Sequence, residues 1–192
     1  MAFTLESFML IFQLTFHVIL LLSLDLFAPI PVSATILGNE TDKLALIEFK
    51  SKISDDPFGV LATWNESFPF CQWVGVACGL KHQRVVSLLL YSQKLIGTIS
   101  PHIGNLSFPQ SFNLGDNSFH GKIPPELGRL IRLRQLNLSS NLLQGEIPPN
   151  LSRCSKLMDL TINNNQLKGQ VPFEIGSLSE LEVISIHRNN LT

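Results

Sequence analysis

The sequence predicts an α/β solenoid, a stack of 24-residue repeats closed at its N-terminal end by a small helical unit. Three observations carry this expectation. From Val85 onward the chain repeats itself every 24 residues. Each copy joins an apolar alternation to Asn, Gly and Pro at fixed places, and a segment of different composition with two cysteines precedes the first copy. One such repeat cannot bury its own apolar face, so neighbours must stack and share a core.

With Leu133 as position 1, the residues Leu133, Leu136, Leu138, Asn141, Leu143, Gly145, Ile147, Pro148 and Leu151 stand at positions 1, 4, 6, 9, 11, 13, 15, 16 and 19. One period later come Leu157, Leu160, Ile162, Asn165, Leu167, Gly169, Val171, Pro172 and Ile175; one period earlier come Pro109, Phe112, Leu114, Asn117, Phe119, Gly121, Ile123, Pro124 and Leu127. The first copy starts at Val85, and a fifth, starting at Leu181, breaks off at Thr192 before its glycine. Alternation at positions 4 and 6 reads as a short strand with those side chains inward. The position-9 amide can bond backbone groups where the chain leaves the strand, so stacked copies form a ladder that Gln93 leaves imperfect. Glycine at 13 permits a backbone conformation closed to other residues, and proline at 16 ends regular pairing. Pro109, lacking a ladder donor and filling less volume, predicts a weakened second repeat. Ser100 before Pro101 shifts the first proline by one. Independent leucine-rich helices are no alternative, because a proline inside each would break them.

Residues 1–34 read as a signal peptide: residues 8–24 are mostly apolar, and Val32, Ser33 and Ala34 supply small residues for cleavage after Ala34. Glu6 in place of an early basic residue, and the polar Gln13, Thr15 and His17, leave an uncleaved anchor of about 17 residues as the rival, short for a bilayer. Residues 35–84 form a second unit. There Asp42 is expected to cap a helix with Ala45, Leu46, Phe49 and Ile53 on one face, and the run from Ser54 to Gly59 is expected to break it.

The repeats, with Gly121-Lys122-Ile123-Pro124 and Gly145-Glu146-Ile147-Pro148, resemble the plant-type leucine-rich repeat. That resemblance implies a right-handed arc with a parallel sheet on its concave side, whose exposed positions recognise proteins, peptides or hormones without chemistry. The preceding unit resembles the plant repeat N-terminal cap, through the helix Leu46-Ile47-Glu48-Phe49-Lys50 and the run Cys71-Gln72-Trp73-Val74-Gly75-Val76-Ala77-Cys78. In a secreted chain Cys71 and Cys78 are expected to be bonded, which in the chain-entropy account stabilises by roughly 2.5 kcal/mol. A metal pair is the competing idea, and no second Cys pair or His cluster lies nearby to complete it. Cys154, at position 22 where other copies carry leucine, reads as a buried free thiol.

With 15% charged residues and a net charge of -1, the chain lacks the basic excess of a nucleic-acid binder. The run Arg129, Arg132, Arg134 reads as a solvated face before an anion site. Sequons at Asn39, Asn65, Asn105, Asn137, Asn150 and Asn190 are glycosylation candidates; at Asn137 a glycan would project from the concave face. The outward concave positions are 2, 3, 5, 7 and 8, and their charged or titratable members Asp116, Arg134, Asp159, His187 and Arg188 are the ligand-contact candidates. Strands about 4.8 Å apart make this a strip on the order of 20 Å long, a small contact patch.

The layout resembles the start of plant leucine-rich-repeat receptor-like kinase ectodomains. The stretch from Asn39 through Ile53, with Arg153-Cys154-Ser155, resembles the immune-receptor subfamily containing the EF-Tu receptor and the rice bacterial-blight resistance receptor. That implies pattern recognition in defence at the apoplastic face of the plasma membrane, with a protein or peptide ligand and a leucine-rich-repeat co-receptor as partners. No glycine-rich phosphate loop, His-Arg-Asp or Asp-Phe-Gly run is present, so the kinase of such a relative lies outside these residues. No cofactor and no metal are expected, and membrane association only through the leader or a downstream segment. The alternatives are a short secreted protein of the polygalacturonase-inhibitor type and a truncated, non-functional product. An enzyme is disfavoured, since five histidines show no Ser/His/Asp ordering or metal spacing.

Overall fold

A computed structural model describes residues 38–192; the expected leader, residues 1–34, lies outside the described residues. Helix α1 (Gly38–Lys50) buries Ala45, Leu46 and Phe49. Asp42 is not its cap. It lies within the helix, fully buried, and its carboxylate accepts hydrogen bonds from Arg84 Nε (2.8 Å), Arg84 Nη2 (2.7 Å) and the Val85 amide (2.9 Å). The acid therefore ties the helix to the first residue of the repeats, a contact across 43 positions that local capping rules do not reach. Ile53 also leaves the expected helix face. The helix stops at Lys50, and Ile53 opens strand β1 (Ile53–Asp55), which runs into the Ser54–Gly59 stretch expected to break the helix.

Each repeat contributes to two sheets. Sheet 1 comprises β2 (Val76–Cys78), β3 (Val85–Leu89), β5 (Ser111–Asn113), β7 (Gln135–Asn137), β9 (Asp159–Thr161) and β11 (Val183–Ser185). From β3 onward it is parallel, with Leu88, Phe112, Leu136, Leu160 and Ile184 in register. It is the sheet the repeat pattern assigns to the concave side. Sheet 2 was not foreseen: β1, β4 (Ile96–Thr98), β6 (Ser118–Lys122), β8 (Leu142–Gly145), β10 (Gln166–Gly169) and β12 (Asn190–Leu191) pair along a second side. The third side carries 3-10 turns: η3 (Pro101–Asn105), η4 (Pro125–Arg129), η5 (Pro149–Arg153) and η6 (Phe173–Ser177). Pro101, Pro125 and Pro149 start the first three, where the fixed φ fits and a missing N–H costs nothing. Ser100 is buried and accepts from the His102 amide (3.3 Å), so it replaces the cap proline without moving the turn.

Between the three sides the apolar positions 1, 4, 6, 11, 15, 19 and 22 form one core. The asparagine ladder runs through it. Asn141 Nδ2 donates to the carbonyls of Leu114 (3.0 Å) and Leu138 (3.1 Å), while its Oδ1 accepts from the Phe119 amide (2.9 Å). Asn117 and Asn165, one period away, and Asn189, two periods away, repeat this. Each amide satisfies backbone groups that the turn leaves unpaired, in two adjacent repeats. Gln93 bonds only the Tyr91 carbonyl (2.7 Å) through its side chain, so the ladder begins at Asn117.

Gly121, Gly145 and Gly169 have φ of +80°, +83° and +79°, the region expected at position 13. Gly97 does not share it. A Cβ there would collide with the Lys52 carbonyl, so this glycine admits β1 of the cap, which pairs antiparallel with β4. Pro109 removes no ladder bond. The bond it forfeits is the local turn bond that Leu133 and Leu157 make to Leu130 (2.9 Å) and Cys154 (2.8 Å), and β5 keeps full pairing on both sides.

The cap closes the N-terminal end of both sheets: β2 joins β3 antiparallel, as β1 joins β4. Between α1 and the turns η1 (Val60–Thr63) and η2 (Phe70–Gln72), Trp64 stacks on Trp73 at 5.2 Å, and Phe49 lies 6.1 Å from Trp64 and 6.0 Å from Phe119 of β6. Both indole N–H groups are satisfied, by the carbonyls of Val74 (2.9 Å) and Phe68 (3.1 Å). Cys71 and Cys78 are bonded, with Cα atoms 5.5 Å apart.

Candidate ligand-recognition surface

The inward residues of sheet 1 are locked in the core, and its outward residues face away from it. Along the solenoid this face changes character. Its N-terminal end is apolar, with Leu89 and Tyr91 about half exposed. Next comes a low, polar stretch: Asn113, Gly115, Asn137 and Ser139. A Cβ on Gly115 would come within 2.9 Å of the Asn137 amide oxygen, so the glycine lets that side chain lie across it. The oxygens of Asn113 and Asn137 each accept from the amide two residues on, Gly115 and Ser139, at 3.0 Å. Charge collects towards the C-terminal end.

Position 8 has a property that the repeat pattern conceals. Ser92, Asp116, Ser140, Asn164 and Arg188 all adopt positive φ, between 51° and 58°. There the amides of Ser92, Asp116, Ser140 and Asn164 reach the position-7 carbonyl of the next repeat at about 3.0 Å or less, extending inter-repeat pairing past the strand. Asp and Asn tolerate this conformation better than Arg, which lacks a short polar group to satisfy the backbone locally. The signal available in the sequence was the run of Ser, Asp and Asn just ahead of the ladder asparagine.

The five expected ligand contacts do not converge. Arg134 and Asp159 lie where the strands begin, in a groove of about 520 Å³ shared with Gln110, Gln135, Met158 and Glu182. Asp116, His187 and Arg188 lie past the strand ends. Asp116 accepts from Ser92 Oγ (2.7 Å), Asp159 from Thr161 Oγ1 (2.6 Å), and His187 Nδ1 is 3.2 Å from Ser185 Oγ. Glu182 is the residue that sequence reasoning passed over. It belongs to the outward set, and only the shared groove distinguishes it. The arginine run disperses too: Arg129 reaches Asn105 Oδ1 (3.5 Å), Arg132 covers the Phe108 ring at 4.4 Å, and Arg134 lines the groove. Arg84 approaches the same ring at 5.0 Å, so Phe108 joins the cap's ion pair to the second repeat.

Of the six sequons, Asn137 is on sheet 1. Asn39 lies in α1, Asn65 in an exposed turn, Asn105 and Asn150 on the 3-10 side and Asn190 in β12 of sheet 2. Cys154 is fully buried, its Sγ 3.4 Å from the Leu127 carbonyl, and burial pushes its thiol up to about 12. Among the described residues no group of three His, Cys, Asp or Glu side chains could hold a metal ion, and no helix is long and apolar enough to cross a membrane.

Comparison with known proteins agrees with this geometry. Residues 39–79 match the Leucine rich repeat N-terminal domain, and residues 109–130 and 132–154 match the Leucine Rich Repeat. A chain in the crystal structure of the BIR3–SERK2 complex from Arabidopsis thaliana is 33% identical with a TM-score of 0.72, over 79% of this chain and 83% of that one. The chain belongs to the plant leucine-rich-repeat receptor ectodomain family. Another member by sequence, the LRR receptor-like serine/threonine-protein kinase EFR of Arabidopsis thaliana, is 52% identical over 110 residues, which are 56% of this chain and 10% of that protein. The crystal structure of PEPR1–AtPEP1 gives a TM-score of 0.61 at 26% identity, over 79% of this chain and 28% of that one. The chain spans about a tenth of the length of the curated relatives it matches. Within this family the described residues supply a cap and the repeats that follow it.

Proposed function

We propose that this chain is the extracellular recognition module at the N-terminal end of a plant receptor-like kinase or receptor-like protein acting in defence signalling. In this reading residues 1–34 are a leader cleaved after Ala34, residues 35–84 the cap and residues 85–192 the repeats. Sequons off sheet 1 carry glycans facing the apoplast. The module binds a protein or peptide through sheet 1, a leucine-rich-repeat co-receptor engages a flank, and phosphoryl transfer belongs to residues outside this chain. One observation carries the reading: sheet 1 presents a graded set of outward side chains on a backbone whose hydrogen bonds are already met by neighbouring repeats and the asparagine ladder. Such a surface is rigid before binding, so little ordering opposes association. The similarity to EFR supports the defence assignment, and the two complexes named above support peptide and co-receptor partners.

The test places a photoreactive side chain at Ser139, just past β7 on the outward side of sheet 1, or at Gln144 on sheet 2 of the secreted protein, then exposes each to apoplastic wash fluid. Saturable cross-links to peptides or proteins from Ser139 alone are expected. Equal cross-linking from both faces, or none from Ser139, rejects the recognition role of sheet 1.

A further inference from the structure

The groove at the strand starts has an electrical polarity that narrows its ligand, an inference that rests on the recognition role of sheet 1. Position 2 carries Gln110, Arg134, Met158 and Glu182 in successive repeats, and position 3 carries Ser111, Gln135, Asp159 and Val183. The positive charge thus belongs to the third repeat and the negative charges to the fourth and fifth. The ion pairs among the described residues are Lys43–Glu66, Arg84–Asp42 and Lys156–Glu180, and the groove's charges take part in none of them. Arg134 is exposed, and Asp159 Oδ1 is held by Thr161 Oγ1 at 2.6 Å, which fixes the carboxylate without neutralising it.

We propose that this groove recognises an extended peptide that carries an acidic side chain over Arg134 and a basic side chain over Asp159 and Glu182. Three chemical classes fit less well. A polyanion meets Asp159 and Glu182, and a polycation meets Arg134, so each suffers a like-charge contact. A neutral sugar finds no aromatic platform among the lining residues. Only a ligand with both signs satisfies both ends. Its spacing follows from the sheet: one repeat separates Arg134 from Asp159 and two separate it from Glu182, so the partner charges lie on the order of 5 to 10 Å apart along the solenoid. An extended chain advances about 3.3 Å per residue, so the acid and base stand about two to three residues apart. Met158, half-buried between them, offers an adaptable apolar contact for the intervening side chain.

The probe is an array of synthetic peptides of about ten residues in a neutral Ser/Thr/Leu background. One Glu and one Lys are set one to six residues apart in either order, with all-acidic, all-basic and uncharged controls. The full chain is expected to prefer one order at a separation of two to three, with binding that weakens in salt. Arg134→Glu is expected to weaken that peptide about tenfold and to favour its Glu-to-Lys counterpart, an exchange that a folding defect would not produce. Binding without order or spacing preference, or unchanged in Arg134→Glu, overturns the groove assignment and leaves the recognition role of sheet 1 standing. Absence of all peptide binding also overturns the groove assignment, while the sheet as a whole is judged separately by the Ser139 cross-linking.

Discussion

Within residues 38–192 the first repeat and the last described repeat differ in what covers them. At the N-terminal end β1 and β2 pair antiparallel with β4 and β3, and Phe49, Trp64 and Trp73 cover the first repeat. Asp42 and Arg84 then tie the helix to the first repeat at Val85, and Phe108 at the end of that repeat lies between Arg84 and Arg132 of the second. At the other end β11 and β12 have a neighbour on one side only; Val183 and Ile184 are 49% and 46% exposed, and Leu181, Ile186 and Leu191 are only partly buried. The same position-4 side chain is 0% exposed in Leu136 and 46% exposed in Ile184. A repeat is thus stable in proportion to what lies on both sides of it.

The largest effect should come from breaking the capped end. Arg84→Ala leaves the Asp42 carboxylate buried without its partner, and should cost about 3 to 5 kcal/mol in chemical unfolding. A loss under about 1 kcal/mol would mean that the aromatic cluster alone secures the cap. Next, Leu136→Ala should cost about 3 kcal/mol and Ile184→Ala in the same 192-residue chain less than about 1, since only the first leaves a cavity. Amide exchange should follow the same order, with β7 protected and β11 exchanging through local opening. Equal protection of the two strands would contradict the comparison.

Within the interior, Asn141→Ala removes an acceptor and a donor group serving two repeats, and should cost about 2 to 3 kcal/mol. Gln93→Ala, outside the ladder, should cost under about 1 kcal/mol. A further effect is alkaline. The buried Cys154 thiol keeps its proton to about 12, whereas an unfolded thiol releases it near the ordinary 9.0. Its contribution is therefore complete below about pH 9 and is lost as pH rises towards 12, amounting to about 1 kcal/mol at pH 10. Cys154→Val should flatten that part of the stability profile. A profile unchanged by the substitution would place the alkaline sensitivity elsewhere.

The residues differ in how openly they announced their roles. Asn117, Asn141 and Asn165 were legible because every copy faces the same unpaired turn, so repetition exposes the requirement. Asp42 was misread because its ordinary local role, a helix cap, is superseded by a distant partner, and Gly97, at position 13 of the first repeat, serves the close approach of Lys52 in place of the backbone conformation expected of glycine there. Of the candidate surface, the outward positions were legible from strand alternation, but the grouping of Arg134 with Asp159 and Glu182, apart from Asp116, His187 and Arg188, was not. Charge type is written in the residue, whereas which charges share a groove depends on where along each strand they stand and how the repeats stack.

By itself the sequence determined the 24-residue period and the inward and outward faces of sheet 1, because each follows from spacing within one repeat, while the cap and the pairing of Cys71 with Cys78 were legible through the resemblance to the plant repeat N-terminal cap. Only the tertiary structure decided the second sheet, the closure of both sheets by β1 and β2, the Asp42–Arg84–Phe108 connection and the polarity of the groove. These depend on contacts between segments far apart in the chain, where pairing is chosen by the backbone groups and charges left unsatisfied once each repeat has formed.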